Sequence, residues 1–301
     1  MVSSTPLANE VADKIRRKQR LAKLETPLPY SPRVITVSNQ KGGVGKTTTT
    51  VNLAGALARR GARVLVIDID PQGNASTALG VPHTAEVDSV YEVLLGENTI
   101  AEVVQQSTDH ENIYCLPSTI NLAGAEIELV AADNRERRLQ YALRDFLAQA
   151  PEPFHYVLID CPPSLGLLTL NAFVAAQEVL IPIQCEYYAL EGLSQLINNI
   201  QLIRQHLNPR LELSTILLTM FTGRTKLAME VSNEVRTHFP EQTLEAVIPR
   251  SVRIAEAPSF GQTVLAHDAS NIGSIAYLEA AHEIAARFAG QWQQEKSEGE
   301  K

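Results

Sequence analysis

The chain has 301 residues, of which 45% are hydrophobic, 20% charged and only 5% aromatic, and its formal net charge is −8. This length allows one large α/β domain or at most two small ones, and the aliphatic bulk suits a parallel sheet that is buried on both faces. The acidic total argues against strong general binding of nucleic acid, although a local basic patch can still bind phosphates.

Several classes of protein are excluded by what the sequence lacks. The three cysteines form no CxxC pair, which indicates free thiols in a reducing cytosol, and the seven histidines show no helix-face ligand spacing for zinc. The first ten residues have no basic region followed by an apolar one, and no apolar run is long enough to span a bilayer. We therefore expect a cytoplasmic protein.

The two ends differ from the rest of the chain. Residues 1–32 are predicted to form a basic, flexible arm, and 291–301 a polar tail that frays, which leaves 33–290 as the main domain. An apolar helix-like spacing and a Pro-rich segment, 26–32, point to a partly helical arm on a tether, although a merely solvated tail would have the same composition. Six cations fall within ten residues of this arm: Lys14, Arg16, Arg17, Lys18, Arg20 and Lys23.

Apolar strand-like runs alternate with helix-length segments from Arg33 onwards. This alternation predicts an α/β fold with a doubly wound, mostly parallel β-sheet flanked by helices on both faces. Right-handed crossovers would bring the loops at the carboxyl edge together, where ligands bind. The predicted strands are 34–38, 63–68, 113–116, 156–160, 179–183, 213–219, 246–248 and 263–266, and the predicted helices are 46–59, 125–149, 191–206, 226–238 and 271–288.

A glycine-rich run lies between the first predicted strand and the first predicted helix. Glycines let the backbone approach phosphate, and successive N–H groups at a helix N-terminus form an anion site. Lys46 is expected to reach the β- and γ-phosphates of ATP or GTP, Thr47 to ligate Mg²⁺ and Thr48 to donate to the α-phosphate. The predicted nucleotide-contacting residues are Lys41, Gly42, Gly43, Val44, Gly45, Lys46, Thr47 and Thr48.

Carboxylates end two of the apolar strands. Asp68 and Asp70 leave one strand on the same face, and such a pair near phosphate can hold Mg²⁺ through water and orient an attacking water. The alternative is that they only cap a turn. Asp160 ends a second strand in a Walker B pattern and is expected to hold Mg²⁺, or one of its waters, opposite Thr47.

The run Asn39–Thr49 resembles the deviant Walker A motif of the ParA/MinD ATPases, with Gln40 where the usual first glycine belongs and Lys41 after it. Cys161-Pro162-Pro163-Ser164 is similar to the D-x-P-P-S switch of that family. Two further stretches, 186–192 and 251–261, resemble chromosomal, Soj-like ParA proteins, and the likeness extends from about Val34 to Phe288.

The resemblance implies a weak ATPase of the deviant P-loop class that uses ATP and Mg²⁺. Lys41 would reach the phosphates of the partner subunit in an ATP-dependent homodimer, in the manner of an arginine finger. Asp70 would orient the water and Asp68 would support the metal shell, so the expected catalytic residues are Lys41, Lys46 and Asp70. Adenine would lie between Met220, Pro249 and Arg250, although by pattern alone Met220 fits the core equally well.

The resemblance also implies a DNA-partitioning role at the nucleoid. The ATP-bound dimer would bind double-stranded DNA without sequence preference, and a ParB-type partner would stimulate hydrolysis and release. Isolated surface cations are common, so each residue of the expected DNA contact set has a purely solvated alternative: Arg224, Lys226, Arg250 and Arg253.

Two relatives with other functions compete with this interpretation. A MinD-like division-site ATPase would need an amphipathic, basic C-terminal helix for the membrane, and residues 292–301 lack that character. No membrane partner is therefore expected, although the basic arm keeps a weaker version open. A nitrogenase-reductase-like protein would need cluster-binding cysteines, and neither Cys161 nor Cys185 has that placement.

Overall fold

The computed structural model describes residues 6–187, 189–223 and 225–287. The predicted tail, 291–301, and the predicted DNA contact Arg224 lie outside the described residues. The strands are β1 Arg33–Val37, β2 Val64–Asp68, β3 Gln105–Gln106, β4 Ile113–Leu116, β5 Tyr156–Asp160, β6 Glu178–Gln184, β7 Glu212–Phe221 and β8 Thr243–Pro249.

Helices occupy most of the segments between these strands. Two short 3₁₀ turns, Leu129–Ala131 and Ala257–Phe260, add to them. The α-helices are α1 Pro6–Lys23, α2 Lys46–Ala58, α3 Asn74–Ala78, α4 Val90–Leu95, α5 Ile100–Val103, α6 Leu122–Glu128, α7 Arg138–Gln149, α8 Leu167–Ala175, α9 Ala189–His206, α10 Lys226–His238, α11 Val252–Glu256, α12 Val264–His267 and α13 Ile272–Arg287.

One eight-stranded sheet has the order β3-β4-β2-β5-β1-β6-β7-β8. Its neighbouring strands are parallel except for the β3–β4 pair at one edge. The central strands are buried along their whole length, as expected for a sheet covered on both faces. The doubly wound, mostly parallel fold predicted from the sequence is confirmed.

Alternate residues of the central strands contribute to two separate hydrophobic cores, one on each face of the sheet. Val34, Ile67 and Ile159 face a core that also contains residues of α7, α8, α9 and α10. Val37 and Leu158 face the opposite core, which contains residues of α2, α12 and α13. The two helical layers hold β1 and β5 in the middle of the sheet, so the loops after these strands start from fixed positions.

The basic arm lies against the domain where the sequence predicts a flexible segment. Residues 6–23 form α1, which packs on α13, and Leu21 is buried between them. The Arg17 guanidinium forms an ion pair with Glu279 of α13, and Arg60 Nη2 donates to the Leu21 carbonyl at 2.9 Å. These contacts give the arm a defined position.

Several details of the predicted elements are wrong, and short helices such as α8 were not predicted. The predicted strand 263–266 is the short helix α12, because the Thr263 hydroxyl caps its first turn by accepting from the Ala266 amide. The predicted helix 125–149 is broken between α6 and α7, where Asn134 has a φ of 51°. The two-residue strand β3 was missed because Gln105 and Gln106 carry no apolar signal.

Candidate functional site

The glycine-rich loop connects the carboxyl end of β1 to the first turn of α2. Gly43 and Gly45 have φ values of 73° and 90°, a region that side chains with a Cβ rarely adopt. A Cβ added at Gly42 or Gly43 would meet no atom within 4 Å, so the loop backbone borders open space. Gly45 directly precedes α2, and the first amides of this helix therefore face the same space.

Hydrogen bonds to neighbouring strands hold the loop in place. Asn39 Nδ2 donates to the Pro182 carbonyl at 2.8 Å, and Asn39 Oδ1 accepts from the Lys41 amide at 3.0 Å. On the other side, Thr219 Oγ1 donates to the Val44 carbonyl at 2.8 Å. The loop is thus attached to β6 and β7.

Lys46 is buried within this loop. Its side chain runs back along the loop, and Nζ lies 3.4 Å from the Lys41 carbonyl oxygen. Burial lowers the pKa of Lys46, whereas the nearby carboxylates of Asp160 and Asp70 oppose that change. A cation held by the loop next to two carboxylates is the arrangement that a polyphosphate–metal complex requires.

Asp160 is fully buried at the end of β5 and accepts hydrogen bonds from two threonines of α2. Thr47 Oγ1 donates to Asp160 Oδ2 at 2.7 Å, and Thr50 Oγ1 donates to Oδ1 at 2.9 Å. Burial, reinforced by Asp68, raises the pKa of Asp160 to about 8. Sequence reasoning missed Thr50, although its spacing of three residues from Thr47 places both hydroxyls on one face of the helix.

Asp68 and Asp70 leave β2 next to this strand end. Asp68 pairs in register with Asp160, and its Oδ2 accepts from both the amide and the hydroxyl of Ser76 at 2.8 Å. Burial raises the pKa of Asp68 to about 6. Asp70 Oδ1 accepts from the Gln72 amide at 3.0 Å. Both oxygens of Asp68 are engaged by its own loop, because Oδ1 also accepts from the Asp70 amide.

The oxygens at this edge fit a magnesium ion that retains most of its waters. The Thr47 hydroxyl and the Asp160 carboxylate are adjacent, and Mg²⁺ is usually held by one or two protein ligands together with phosphate oxygens and water. Within the described ranges no group of three or more His, Cys, Asp or Glu forms a site made of protein ligands alone. The metal-supporting role of Asp68 stays a prediction.

Lys41 forms an ion pair within its own chain. Its Nζ lies 2.5 Å from Glu186 Oε2, and the two side chains are 41% and 47% exposed. Glu186 follows the end of β6, and it was not among the predicted site residues. It lies in the stretch 186–192 that carries the family resemblance, which is the signal that could have identified it.

The predicted adenine contacts lie at the ends of β7 and β8, and Met220 is next to the loop. The Met220 side chain is partly exposed, and its Cε would be 3.8 Å from a Cβ at Gly45. Met220 has a φ of 49°, an unfavourable conformation for methionine that is found more often at functional sites. Pro249 pairs with Phe221 across the strands, and the exposed Arg250 follows it.

The described DNA-contact candidates are exposed near the same sheet edge. Lys226 begins α10, which follows β7, and Arg250 follows β8. Arg253 lies on α11 and pairs with Glu256 of the same helix. The assignment of these cations to DNA stays a prediction.

Comparison with known proteins agrees with this site. The family described as an AAA domain matches residues 32–213. The chromosome partitioning protein ParA of Myxococcus xanthus is 50% identical over 255 residues, which cover 85% of this chain and 88% of that protein. The sporulation initiation inhibitor protein Soj of Bacillus subtilis is 48% identical over 254 residues, which cover 84% of this chain and 98% of Soj.

A solved structure extends the comparison to three dimensions. The cobyrinic acid a,c-diamide synthase from Mycobacterium smegmatis, with a bound ATP analogue and magnesium, superposes with a TM-score of 0.67 at 39% identity. The match covers 76% of this chain and 93% of that one. The resemblance to the ParA/MinD ATPases found in the sequence is confirmed, and the chain belongs to the ParA/Soj family of chromosome-partitioning ATPases.

Proposed function

We propose that this chain is a partitioning ATPase whose ATP-bound form is a homodimer that binds DNA. The observation that carries the proposal is the joint placement of Lys46, Thr47 and Asp160 at one loop. A buried lysine, a hydroxyl and a buried carboxylate there match what a nucleoside triphosphate with Mg²⁺ requires. The solved relative with a bound ATP analogue and magnesium supports the same ligand.

The residues at this site would have two roles in hydrolysis: some bind the phosphates and Mg²⁺, and one orients the attacking water. The loop amides and Lys46 would bind the β- and γ-phosphates, and Thr47 with Asp160 would hold Mg²⁺, which neutralises charge developing on the phosphates. Asp70 would orient the attacking water at the end of β2. Lys41 would leave Glu186 and contact the phosphates of the partner subunit, so hydrolysis would require the dimer.

Nucleotide state would then control the location of the protein. The dimer would present Lys226, Arg250 and Arg253 from both subunits, and doubling the cations increases affinity for DNA phosphates because each contact releases counterions. A ParB-type partner would stimulate hydrolysis and return the chain to its free form, a population shift between two states. Nucleoid association follows from this cycle.

No helix within the described part of the chain is long and apolar enough to cross a membrane. A MinD-like division-site role has less support for a separate reason, the names of similar proteins. Three relatives that cover 84–85% of this chain at 48–50% identity carry partitioning or sporulation names.

Sizing by light scattering with ADP, ATP and a non-hydrolysable ATP analogue tests the proposal. We expect a monomer with ADP and a dimer with ATP or the analogue. Lys46→Ala should fail to bind labelled ATP, whereas Lys41→Ala should bind it and fail to hydrolyse it. The same mass in all three nucleotide states would overturn the proposal.

A further inference from the structure

Helix α1 lies outside the part of the chain that defines the family. The AAA domain match begins at residue 32, and the Soj comparison covers 98% of Soj but only 84% of this chain. This chain therefore carries segments beyond the length it shares with Soj.

The helix is held firmly against α13. Arg17 Nε donates to Glu279 Oε1 at 3.0 Å, and Nη2 of the same guanidinium binds the other oxygen. Leu21 is 3% exposed, and Arg60 donates to the carbonyls of Leu21 and Leu24. Because Leu21 and Arg17 make these contacts, the opposite side of α1 is fixed facing solvent.

A row of cations lies on one exposed flank of α1, beside the docked side. Arg16, Arg20 and Lys23 follow the i, i+4, i+7 spacing and therefore project along one face of the helix. All three are exposed, and Arg16 and Lys23 form no ion pair with any carboxylate in the described residues. Arg20 Nη2 lies 3.6 Å from Glu279 Oε1, and the Arg20 side chain remains 69% exposed. We call these three residues the α1 basic row.

The N-terminal half of α1 adjoins the surface that contains Arg253. Asp268, in the turn between α12 and α13, lies within electrostatic reach of both Lys14 and Arg253. Cations of α1 and of α11 therefore border the same turn. Through Lys14, the basic helix is thus linked to the candidate surface around Arg253.

We propose that the α1 basic row binds the phosphate backbone of double-stranded DNA and adds to the affinity of the ATP-bound dimer. This inference rests on the proposed function, because it presumes that the protein binds DNA. The row spans roughly 10 Å of helix, a length over which a duplex presents about six phosphate charges. Because the net charge of the chain is −8, contact with a polyanion depends on local clusters of cations such as this row.

Insertion into a membrane fits the helix less well than DNA does. Its buried apolar residue, Leu21, is already used for docking on the domain. Val11 and Ile15 are exposed, but Lys18 and Gln19 continue that side of the helix, so between Val11 and Lys23 the apolar stripe stops at Ile15. An interfacial helix buries a continuous apolar face, which Lys18 and Gln19 interrupt.

The test compares two variants that lose the same charge. Arg16→Gln/Lys23→Gln removes two cations from the α1 basic row, whereas Arg204→Gln/Arg210→Gln removes two exposed cations near α9, on the opposite face of the sheet. DNA affinity of the full chain is measured with the non-hydrolysable ATP analogue over a salt series. Labelled-ATP binding confirms that each variant is folded.

We expect the first variant to lose roughly tenfold or more in DNA affinity at 0.1 M salt, with a slope of log K against log salt that is less steep by about 2. The control should retain the wild-type slope. Equal slopes for both variants would overturn this inference while leaving the proposed function intact. Absence of DNA binding by the wild type would instead reject the proposed function. Unchanged DNA affinity with lost binding to phosphatidylglycerol vesicles would assign the row to membranes and overturn the inference.

Discussion

Lys41 Nζ and Glu186 Oε2 of the same chain lie 2.5 Å apart, so Lys41, the extra lysine of the deviant Walker A motif, forms an ion pair within its own subunit. If Lys41 acts on a partner's phosphates, this ion pair has to break before or during dimerisation. Because both side chains are about half exposed, the pair contributes at most about 1 kcal/mol. Glu186 would therefore change the ATP concentration that dimerisation requires, without preventing dimerisation.

Glu186→Gln removes the charge that holds Lys41 in place. We expect the variant to dimerise at an ATP concentration up to about fivefold lower than the wild type, as an exposed pair of this strength allows. ATP titrations followed by light scattering measure the shift. Glu191→Gln, which changes an exposed acid in the first turn of α9, is the control. A higher ATP requirement in Glu186→Gln would show that Glu186 assists the dimer.

Asp70→Asn separates ATP binding from hydrolysis. Asparagine keeps the Oδ1 acceptor that Asp70 offers to the Gln72 amide, so the loop after β2 should retain its shape. Loss of the carboxylate that would orient water should reduce single-turnover hydrolysis by roughly 10²- to 10⁴-fold. The variant should accumulate as an ATP-bound dimer. Hydrolysis at the wild-type rate would remove Asp70 from the mechanism.

The environment of His155 predicts that the folded protein loses stability in acid. Its Nδ1 accepts from the Arg63 amide at 2.9 Å, and burial, together with the Arg63 charge, lowers its pKa. A histidine whose pKa is lower in the folded state stabilises the protein above its unfolded pKa of about 6.5, and this contribution is lost as the pH falls through the folded value.

The measurement is urea unfolding between pH 7.5 and pH 5. The free energy of unfolding of His155→Asn, which keeps an acceptor for the Arg63 amide, should fall less steeply with acid than that of the wild type. The exposed His206 on α9 provides a control in His206→Asn. Parallel pH profiles for the wild type and His155→Asn would refute this assignment.

The base of β1 rests on a buried ion pair. Arg33 Nε and Nη2 donate to the two oxygens of Glu178 on β6, each at 2.6 Å, and both side chains are 7% exposed. Glu178→Gln removes the carboxylate charge that faces the buried Arg33 guanidinium and should lower the free energy of unfolding by about 3 kcal/mol. The double variant Arg33→Met/Glu178→Leu should lose less, since no buried charge remains. A larger loss in the double variant would contradict this explanation.

The strands and the phosphate loop could be predicted because their signals are local. Val34–Val37, Val64–Ile67 and Tyr156–Ile159 are apolar runs that end at polar residues, and the central strands of a parallel sheet have this composition. The predicted strand 263–266 failed for the opposite reason. A short apolar run fits a buried helical turn equally well, and the hydroxyl cap of Thr263 decided between them.

Contacts between distant segments could not be predicted. Glu186 meets Lys41 across 145 residues of sequence, and Arg17 meets Glu279 across 262. No periodicity encodes such pairs, because they depend on which strands become neighbours and on how α13 packs. For the same reason the sequence could identify α1 as basic but could not show that it is docked.

The most direct test of the account is retention of the wild-type chain on non-specific double-stranded DNA in the presence of ADP, ATP or a non-hydrolysable ATP analogue. A dimerisation switch predicts strong retention with the analogue, transient retention with ATP and little with ADP. Equal retention in all three nucleotide states, or none in any of them, would contradict it.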